Sequence, residues 1–480
     1  MGIKVVKDLV HSYIEIDEDL QIIIDTPSFQ RLRRIKQLSC YYIFPSTNHT
    51  RYEHSLGVMQ LACDFFDTLE KDFKKYNLDD KKIKYLRLHV RLAALLHDIG
   101  HPPFSHLGEK FLDKNEILEN IREYSNLIDI DSTFFSIDKT LIGKEHELLS
   151  CYCILRKYYN ILKSLNTDMD ISFICRCIIG NLYPEEENWD KNICIKILNS
   201  DSIDVDKLDY LMRDNHMTGE IAPKMDIKRL LACLTLSDKK LKFIAKAIPA
   251  VQSVVDSRDT LYLWVYHHHI SIYTDYITGR ILKKCMELFE EKRGTYPEEL
   301  NRSLFFSPKA ISDYLITDDD VFSHLRKTYI SSIEGKAHSF NEIASKQLFE
   351  RNFLKSLWKT IYEYKDFENY ILDKLKIKSY DYLSSILKNE AIIEKITKNI
   401  QKKLNLKEGE VFVITKYNKF YNSVKEAPIY LLLNGEDRLL ADLLPQKHFD
   451  VFNTLSFFIF VPKEYKKKAK FILIEELIKI

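Results

Sequence analysis

Apolar residues recur at spacings of three and four through most of the first three hundred positions. SLGVMQLACDFFDTLEK, YLRLHVRLAALLHDIG and RLLACLTL each carry one apolar stripe, the pattern of helices with one buried face. Before them, IKVV, SYIEI and QIII read as short extended segments, and DTPSFQRLRRIKQL places a proline near the start of a helix. Residues 110–145 are polar and weakly periodic, and are expected to form an insertion or mobile connection. From about residue 405 the pattern shifts to short β-rich runs, EVFVITKY, APIYLLLN and LSFFIFVP, bounded by Gly, Asn and Pro. The expectation is a mainly α protein with a helical core over residues 1–400 and a small α+β lobe over 401–480. No internal repeat is evident.

Composition narrows the class. The chain has 480 residues, 45% hydrophobic and 29% charged, with only 12 Gly and 12 Pro, which favours helix over sheet and argues against long disorder. Lys+Arg (71) and Asp+Glu (70) give a net charge of +1, so no overall attraction to nucleic acid or an anionic membrane is expected. An anionic ligand must be captured by a local cluster. The nine cysteines are scattered, with Cys151/Cys153 and Cys175/Cys177 the only close pairs and neither in zinc-ribbon spacing, which suits a reducing cytoplasm. MGIKVVKDLV lacks an apolar signal core and has Val6 where a myristoylation motif requires Ser or Thr, and no run is long enough to span a bilayer. A soluble, cytoplasmic protein is expected.

The chemistry concentrates in LAALLHDIGHPPFSH, where an apolar helix ends in His97 and Asp98 before Gly100 and Pro102 break it. A lone His-Asp pair is ordinary: the histidine satisfies a helix end and the aspartate caps it. Here it is answered by His54 at the start of one apolar helix (RYEHSLGV) and Asp206 entering another (SIDVDKLDYLMRD). Imidazole and carboxylate together suit Mn, Fe, Zn or Mg and do not choose among them.

The order His, His-Asp, Asp resembles the HD superfamily of metal-dependent phosphohydrolases. HDIGHPPFSH, RYEHSLGV, FQRLRRIKQL and DVDKLDYLMRD together resemble its deoxynucleoside triphosphate triphosphohydrolases, including the members that carry a sterile alpha motif, although none is expected ahead of this core. The similarity runs from about residue 4 to 300, with a fainter echo at LADLLPQKHF. The resemblance implies an HD-domain fold and removal of the whole triphosphate from a dNTP, leaving a deoxynucleoside. It makes His54, His97, Asp98 and Asp206 the metal ligands.

Hydrolysis at the α-phosphorus also needs a proton for the departing 5′ oxygen, and His106 is the candidate acid. Glu109, three residues on, is placed to hold its imidazole protonated; the family has the shorter Asp there. By resemblance His101 contacts the phosphates and His146, in GKEHELLS, is another active-site histidine. Arg51, Lys207 and Arg258 match phosphate-contacting positions. Asp206, Tyr210 and Asp214 recur every four residues on one helix face, with Leu208, Leu211 and Met212 assigned to the core side. The resemblance gives Asp214 the sugar 3′ hydroxyl. A second stripe is Arg258, Tyr262 and Tyr266; Tyr266 matches the tyrosine that packs on the sugar and helps exclude a 2′ hydroxyl, and Gln37 and Leu38 match the remaining wall. His267, His268 and His269 are consecutive, point in different directions along a helix and cannot converge on one ion.

Sterile-alpha-motif members are switched on by guanine nucleotides between subunits, and Lys4, Asp25, Gln30 and Arg33 occupy matching positions. A carboxylate accepts from guanine N1 and N2 while cations face O6 or phosphate. The match departs at Lys7, Leu9 and Ser12, where the family has Asn, Pro and Gly. The plain alternative is that FQRLRR is a basic face at a subunit interface. Both imply a homo-oligomer, dimer or tetramer, and the activator is a guanine nucleotide or a dNTP. The expected function is therefore metal-dependent dNTP hydrolysis, controlling dNTP supply and, in one such role, depleting dNTPs against a phage. The rivals are an HD hydrolase of a signalling nucleotide or of single-stranded DNA, and a nucleotide sensor without turnover. Near-neutral charge argues against a stable nucleic-acid partner, and the KEYKKKAK run reads as a solvated face.

Overall fold

A computed structural model describes residues 2–39, 42–128, 130, 143–291, 294–377, 383, 386, 387, 389–416, 429–443 and 456–479. Two compact units emerge: Met1–Leu261 with Arg302–Val321 and Ser423–Gln446, and Tyr262–Asn301 with Phe322–Asn422 and Lys447–Ile480. The chain therefore does not divide at a single cut near residue 400.

The described strands are β1 (Lys4–Asp8), β2 (Ser12–Ile16), β3 (Leu234–Ser237), β4 (Lys240–Ile244), β5 (Lys355–Ser356), β6 (Phe412–Lys416), β7 (Tyr430–Leu433), β8 (Glu436–Leu439) and β9 (Ser456–Val461). β1 and β2 form a hairpin, with Asp8 opposite Ser12. β3, β4, β7 and β8 form one sheet and β5, β9 and β6 another. The expected C-terminal β runs are thus strands, but they serve two sheets: β7 pairs in parallel with β4 in the first unit, while β6 and β9 stay in the second. That sharing is why no cut near 400 isolates them.

In the first unit the helices are α1 (Glu18–Ile24), α2 (Pro27–Gln30), α3 (Arg51–Lys75), α4 (Asp80–Leu96), α5 (His106–Glu109), α6 (Lys114–Leu127), α7 (Glu145–Cys153), α8 (Tyr159–Leu165), α9 (Ile171–Ile179), α10 (Trp189–Leu198), α11 (Val205–Met217), α12 (Ile227–Ala232) and α13 (Ile248–Leu261). α3 and α4 form the central pair; α11 packs on α3, α9 and α10 pack on α4, and α13 packs on α11. Their facing apolar stripes are fully buried, for example Leu61, Phe65 and Phe66 with Leu86, Val90 and Leu95.

Three expectations are corrected. QIII is the body of α1, because Asp17 accepts from the Leu20 amide and starts a helix that buries Leu20, Ile23 and Ile24. RLLACLTL is helix only to Ala232; Leu234–Ser237 leaves as a strand because it pairs with β4. The segment after residue 110 is not irregular throughout, since Asp113 caps α6, which buries Ile117, Leu118 and Ile121; residues 129 and 131–142 of the expected insertion lie outside the described residues. In the second unit, the helix His269–Glu290 packs on Ser339–Phe349, and Glu390–Leu404 packs on Lys466–Ile478. Among the described residues no helix is long and apolar enough to cross a membrane.

Candidate active site

Three helices converge on one cluster, in which His54, His97 and Asp98 are buried and Asp206 is half-exposed. His54 lies in the first turn of α3, whose start is fixed by a capping box between Thr50 and Glu53. His97 is the C-terminal cap of α4 and Asp98 follows it, while Asp206 lies in the first turn of α11, capped by Asp204. His54 Nε2 is 3.0 Å from Asp206 Oδ1 and 3.7 Å from Asp98 Oδ2; His97 Nε2 is 3.4 Å from Asp98 Oδ1 and 3.7 Å from Asp206 Oδ1. Ligands at about 2.1 Å around one ion stand roughly 3.0–3.4 Å apart; His54, His97 and Asp98 have donor atoms within 4.8 Å of one another, and Asp206 stands beside the two imidazoles at 3.0 and 3.7 Å, somewhat wider in part than a bound ion would draw them.

The ring orientations agree. His97 Nδ1 donates to the Ala94 carbonyl at 2.8 Å, which leaves Nε2, buried and without a hydrogen-bond partner, as the lone-pair nitrogen facing the carboxylates. His54 Nδ1 donates to Asp209 at 2.8 Å and likewise turns Nε2 inward. Without a cation the carboxylates act on the imidazoles: burial disfavours a charged His54, yet hydrogen bonds to Asp206 and Asp209 push it up to about 9. Burial raises Asp98, but Arg51, His97 and His54 hold it well below the ordinary carboxylate range. The donor set fits Mn, Fe, Mg or Zn alike.

Beside this cluster lies a second. His106 Nδ1 is 2.6 Å from Glu109 Oε1 and His146 Nδ1 is 3.0 Å from the same oxygen, so Glu109 orients two imidazoles. His101 stacks on His146 with ring centroids 4.1 Å apart, and its Nε2 stands 3.3 Å from Asp98 Oδ1, joining the two clusters. His106 is the exposed member, its side chain 65% accessible, whereas His101 is fully buried. The longer Glu, in place of the family's Asp, spans the one-turn gap without difficulty.

The expected phosphate cations are already engaged. Arg51 donates to Asp98 at 2.8 Å and to the Ser105 hydroxyl at 3.1 Å. Lys207 is held by Asp204 and by the Ser200 carbonyl at 2.5 Å. Arg258 lies on α13, half-buried. The expected face of Asp206, Tyr210 and Asp214 runs along α11, with Leu208 and Leu211 buried on its other side; Asp214 is buried against His49 at 2.7 Å. Gln37, buried near the His49 backbone, leaves its Oε1 without a partner, and Leu38 follows it, half-buried.

The stripe expected through Arg258, Tyr262 and Tyr266 is not one α-helical face. α-Helical hydrogen bonding stops at Leu261 and Tyr262–Tyr266 is a π-helical turn, in which residues four apart no longer align; the two tyrosine rings meet edge to face at 4.9 Å. Both tyrosines belong to the second unit. Among the described residues, neither group of side chains able to hold a metal includes His267, His268 or His269.

Lys4, Asp25, Gln30 and Arg33 form one surface patch. Lys4 Nζ is 4.0 Å from Asp25, Gln30 bonds the Ile24 carbonyl at 2.8 Å, and Arg33 donates to Gln30 at 2.9 Å while lying 3.5 Å over the Tyr52 ring.

Sequence reasoning missed His11, Asp209 and Arg213, which support His54, and His49, which supports Asp214. A partial signal existed: Asp209 and Arg213 stand four apart on the helix that carries Asp206, with Gly57 three residues after His54. Gly57 is required by close approach, since a Cβ there would fall 1.9 Å from Asp209 Oδ1.

The HD domain family matches residues 51–150, the segment that spans His54, His97, Asp98, His106 and His146. The Dictyostelium discoideum deoxynucleoside triphosphate triphosphohydrolase SAMHD1 homolog is 30% identical over 56% of this chain and 46% of its own length. The Homo sapiens deoxynucleoside triphosphate triphosphohydrolase SAMHD1 is 28% identical over 89% and 64%, and an uncharacterised Methanocaldococcus jannaschii protein is 32% identical over 59% and 50%. The chain thus spans about half to two thirds of the length of these relatives. A Bacteroides thetaiotaomicron phosphohydrolase of solved structure shares the fold, with a TM-score of 0.65 at 20% identity over 96% of this chain and 100% of that one. A hypothetical protein from Aquifex aeolicus shares it too, at a TM-score of 0.64 and 22% identity over 98% and 100%. Residues 51–150 thus match the HD domain, and the chain is similar over more than half of its length to deoxynucleoside triphosphate triphosphohydrolases.

Proposed function

We propose that this protein hydrolyses deoxynucleoside triphosphates at the α-phosphorus, releasing a deoxynucleoside and inorganic triphosphate. The observation that carries the reading is the junction of the two clusters: the ligand set of His54, His97, Asp98 and Asp206 adjoins the His101, His106, Glu109 and His146 group through a 3.3 Å approach of His101 to Asp98. His54, His97, Asp98 and Asp206 would hold a divalent ion, which when bound would polarise a phosphoryl oxygen and activate a water. His106, exposed and oriented through Nδ1 by Glu109, gives its proton to the departing 5′ oxygen. His101 and His146 line the phosphate path. Arg51 and Lys207 exchange part of their present carboxylate contacts for phosphate oxygens. Asp214, held by His49, accepts the sugar 3′ hydroxyl, and Gln37, Leu38, Tyr210 and Arg258 complete the nucleoside pocket within the first unit.

The names of the relatives support the substrate class. The patch of Lys4, Asp25, Gln30 and Arg33 is proposed as an activating site for a guanine nucleotide or a dNTP in a homo-oligomer, and dNTP depletion is the proposed cellular role. The test compares variants with Mn²⁺ and each dNTP, with and without GTP. Asp206→Ala should lose both metal and turnover, His106→Ala should keep metal and lose at least 100-fold in turnover, and Asp25→Ala should change activation alone. Full turnover by His106→Ala would remove the assigned acid.

A further inference from the structure

The metal ligand His54 is supported from an unexpected direction. Its Nδ1 donates to Asp209 Oδ2 at 2.8 Å, and Asp209 is fully buried on α11. The other oxygen of that carboxylate, Oδ1, receives His11 Nε2 at 2.6 Å. Arg213, one turn on, bonds both oxygens at 3.0 Å and also reaches Asp8 Oδ2 at 2.9 Å. Asp8 Oδ1 in turn accepts the backbone amides of Val10 and His11, each at 2.8 Å. The bonds close a ring: His11 side chain, Asp209, Arg213, Asp8, His11 backbone.

We propose that His11, in the turn between β1 and β2, is a positioning residue for the metal centre: through Asp209 it fixes the ring of His54 with Nε2 facing the ion. The inference rests on the metal reading of the site. A carboxylate with four donors on its two oxygens has one orientation. Removing His11 leaves Oδ1 with Arg213 as its remaining partner and lets Asp209 turn toward Arg213, away from His54. His11 side chain is only 8% exposed, so water does not readily replace it. Outer-shell partners of this kind contribute about 10–100-fold to metal affinity, because a ligand ring that rocks presents its lone pair to the ion only part of the time.

One consequence reaches the surface. β1 carries Lys4 four residues before Asp8, so whatever displaces the hairpin withdraws Asp8 and His11 together from the Arg213–Asp209 pair. The turn is therefore part of the metal centre's support and not a separate ornament of the surface patch.

The test is a titration of the full-length, chelator-treated protein with Mn²⁺, read by calorimetry and by the electron paramagnetic resonance of bound Mn²⁺. His11→Ala should weaken Mn²⁺ binding by about tenfold or more, with the melting temperature of the metal-free protein little changed. His11→Gln, whose carboxamide can still donate to Asp209, should recover most of the affinity. If His11→Ala does not fold, Asp8→Asn, which keeps the turn's shape and weakens its hold on Arg213, should bind Mn²⁺ more weakly than the wild type. Wild-type affinity in His11→Ala, or in Asp8→Asn where that variant is used, overturns the proposal. Failure of the wild type itself to bind Mn²⁺, Fe²⁺, Zn²⁺ or Mg²⁺ overturns the metal reading and the proposal with it.

Discussion

Asp318 accepts the backbone N–H of Phe104 at 2.7 Å, although 214 residues separate them. Its other oxygen takes the Lys36 amide at 2.9 Å. Phe104 and Ser105 both have left-handed φ, 59° and 49°, a conformation that costs a non-glycine residue about 1 kcal/mol or more. The carboxylate thus holds a turn that its own residues disfavour. From that turn Ser105 donates to the Lys36 carbonyl at 2.7 Å and accepts from Arg51, which reaches Asp98. Asp318→Ala strips an acceptor from two amides, at about 1–3 kcal/mol for each that stays dry. A clear fall in melting temperature is expected; an unchanged one would mean that the turn holds without Asp318.

The same residue gives a pH signature. Burial raises the Asp318 carboxyl to about 6, against the lowering effect of the Lys36 and Phe104 amides. Its unfolded value is near 3.9, so the folded state binds this proton more tightly. The contribution is full below about pH 4 and is lost as pH rises through about 6, a change of roughly 3 kcal/mol at 1.36 kcal/mol per pKa unit. Melting curves of the wild type and Asp318→Asn between pH 4 and 7.5 isolate it from other titrations. The stability of the wild type relative to Asp318→Asn should decline across that range, whereas a constant difference contradicts the assignment.

What the sequence made legible was whatever is local. The helices around His54, His97 and Asp206 follow from period and caps, and the candidate ligands stand at those helix ends. What it hid depends on pairing across the chain. Leu234–Ser237 has helical spacing but becomes a strand because β4 lies beside it, and QIII has strand-like residues but follows the Asp17 cap. His11 and Asp318 are invisible as site residues because their partners, Asp209 and Phe104, are about two hundred residues away. Ser12 shows the reverse: the family's glycine there matches a left-handed φ of 66°, a conformation this chain adopts with a serine.

Gly57 sits mid-helix, where alanine would ordinarily add about 1 kcal/mol of stability. Here a Cβ would stand 1.9 Å from Asp209 Oδ1 and 2.5 Å from Arg213 Nη2, both held in the hydrogen-bonded ring. Gly57→Ala should therefore destabilise by about 1–3 kcal/mol, the cost of overpacking a close-packed site. Thermal melting distinguishes the two signs directly.

Metal removal should be visible in stability as well as turnover. A ligand at about 100-fold its Kd stabilises by about 2.7 kcal/mol, so chelator treatment should lower the melting temperature and Mn²⁺ should restore it. His97→Ala and Asp98→Ala should show no metal-dependent shift. A shift of wild-type size in both would place the ion elsewhere.

The most direct measurement is a single turnover of each dNTP with Mn²⁺ in ¹⁸O-water, followed by mass analysis of both products. Attack at the α-phosphorus predicts one ¹⁸O in inorganic triphosphate and none in the deoxynucleoside. Pyrophosphate or orthophosphate as the only phosphate product, label in the deoxynucleoside, or no turnover of any dNTP with or without GTP would contradict the proposed reaction.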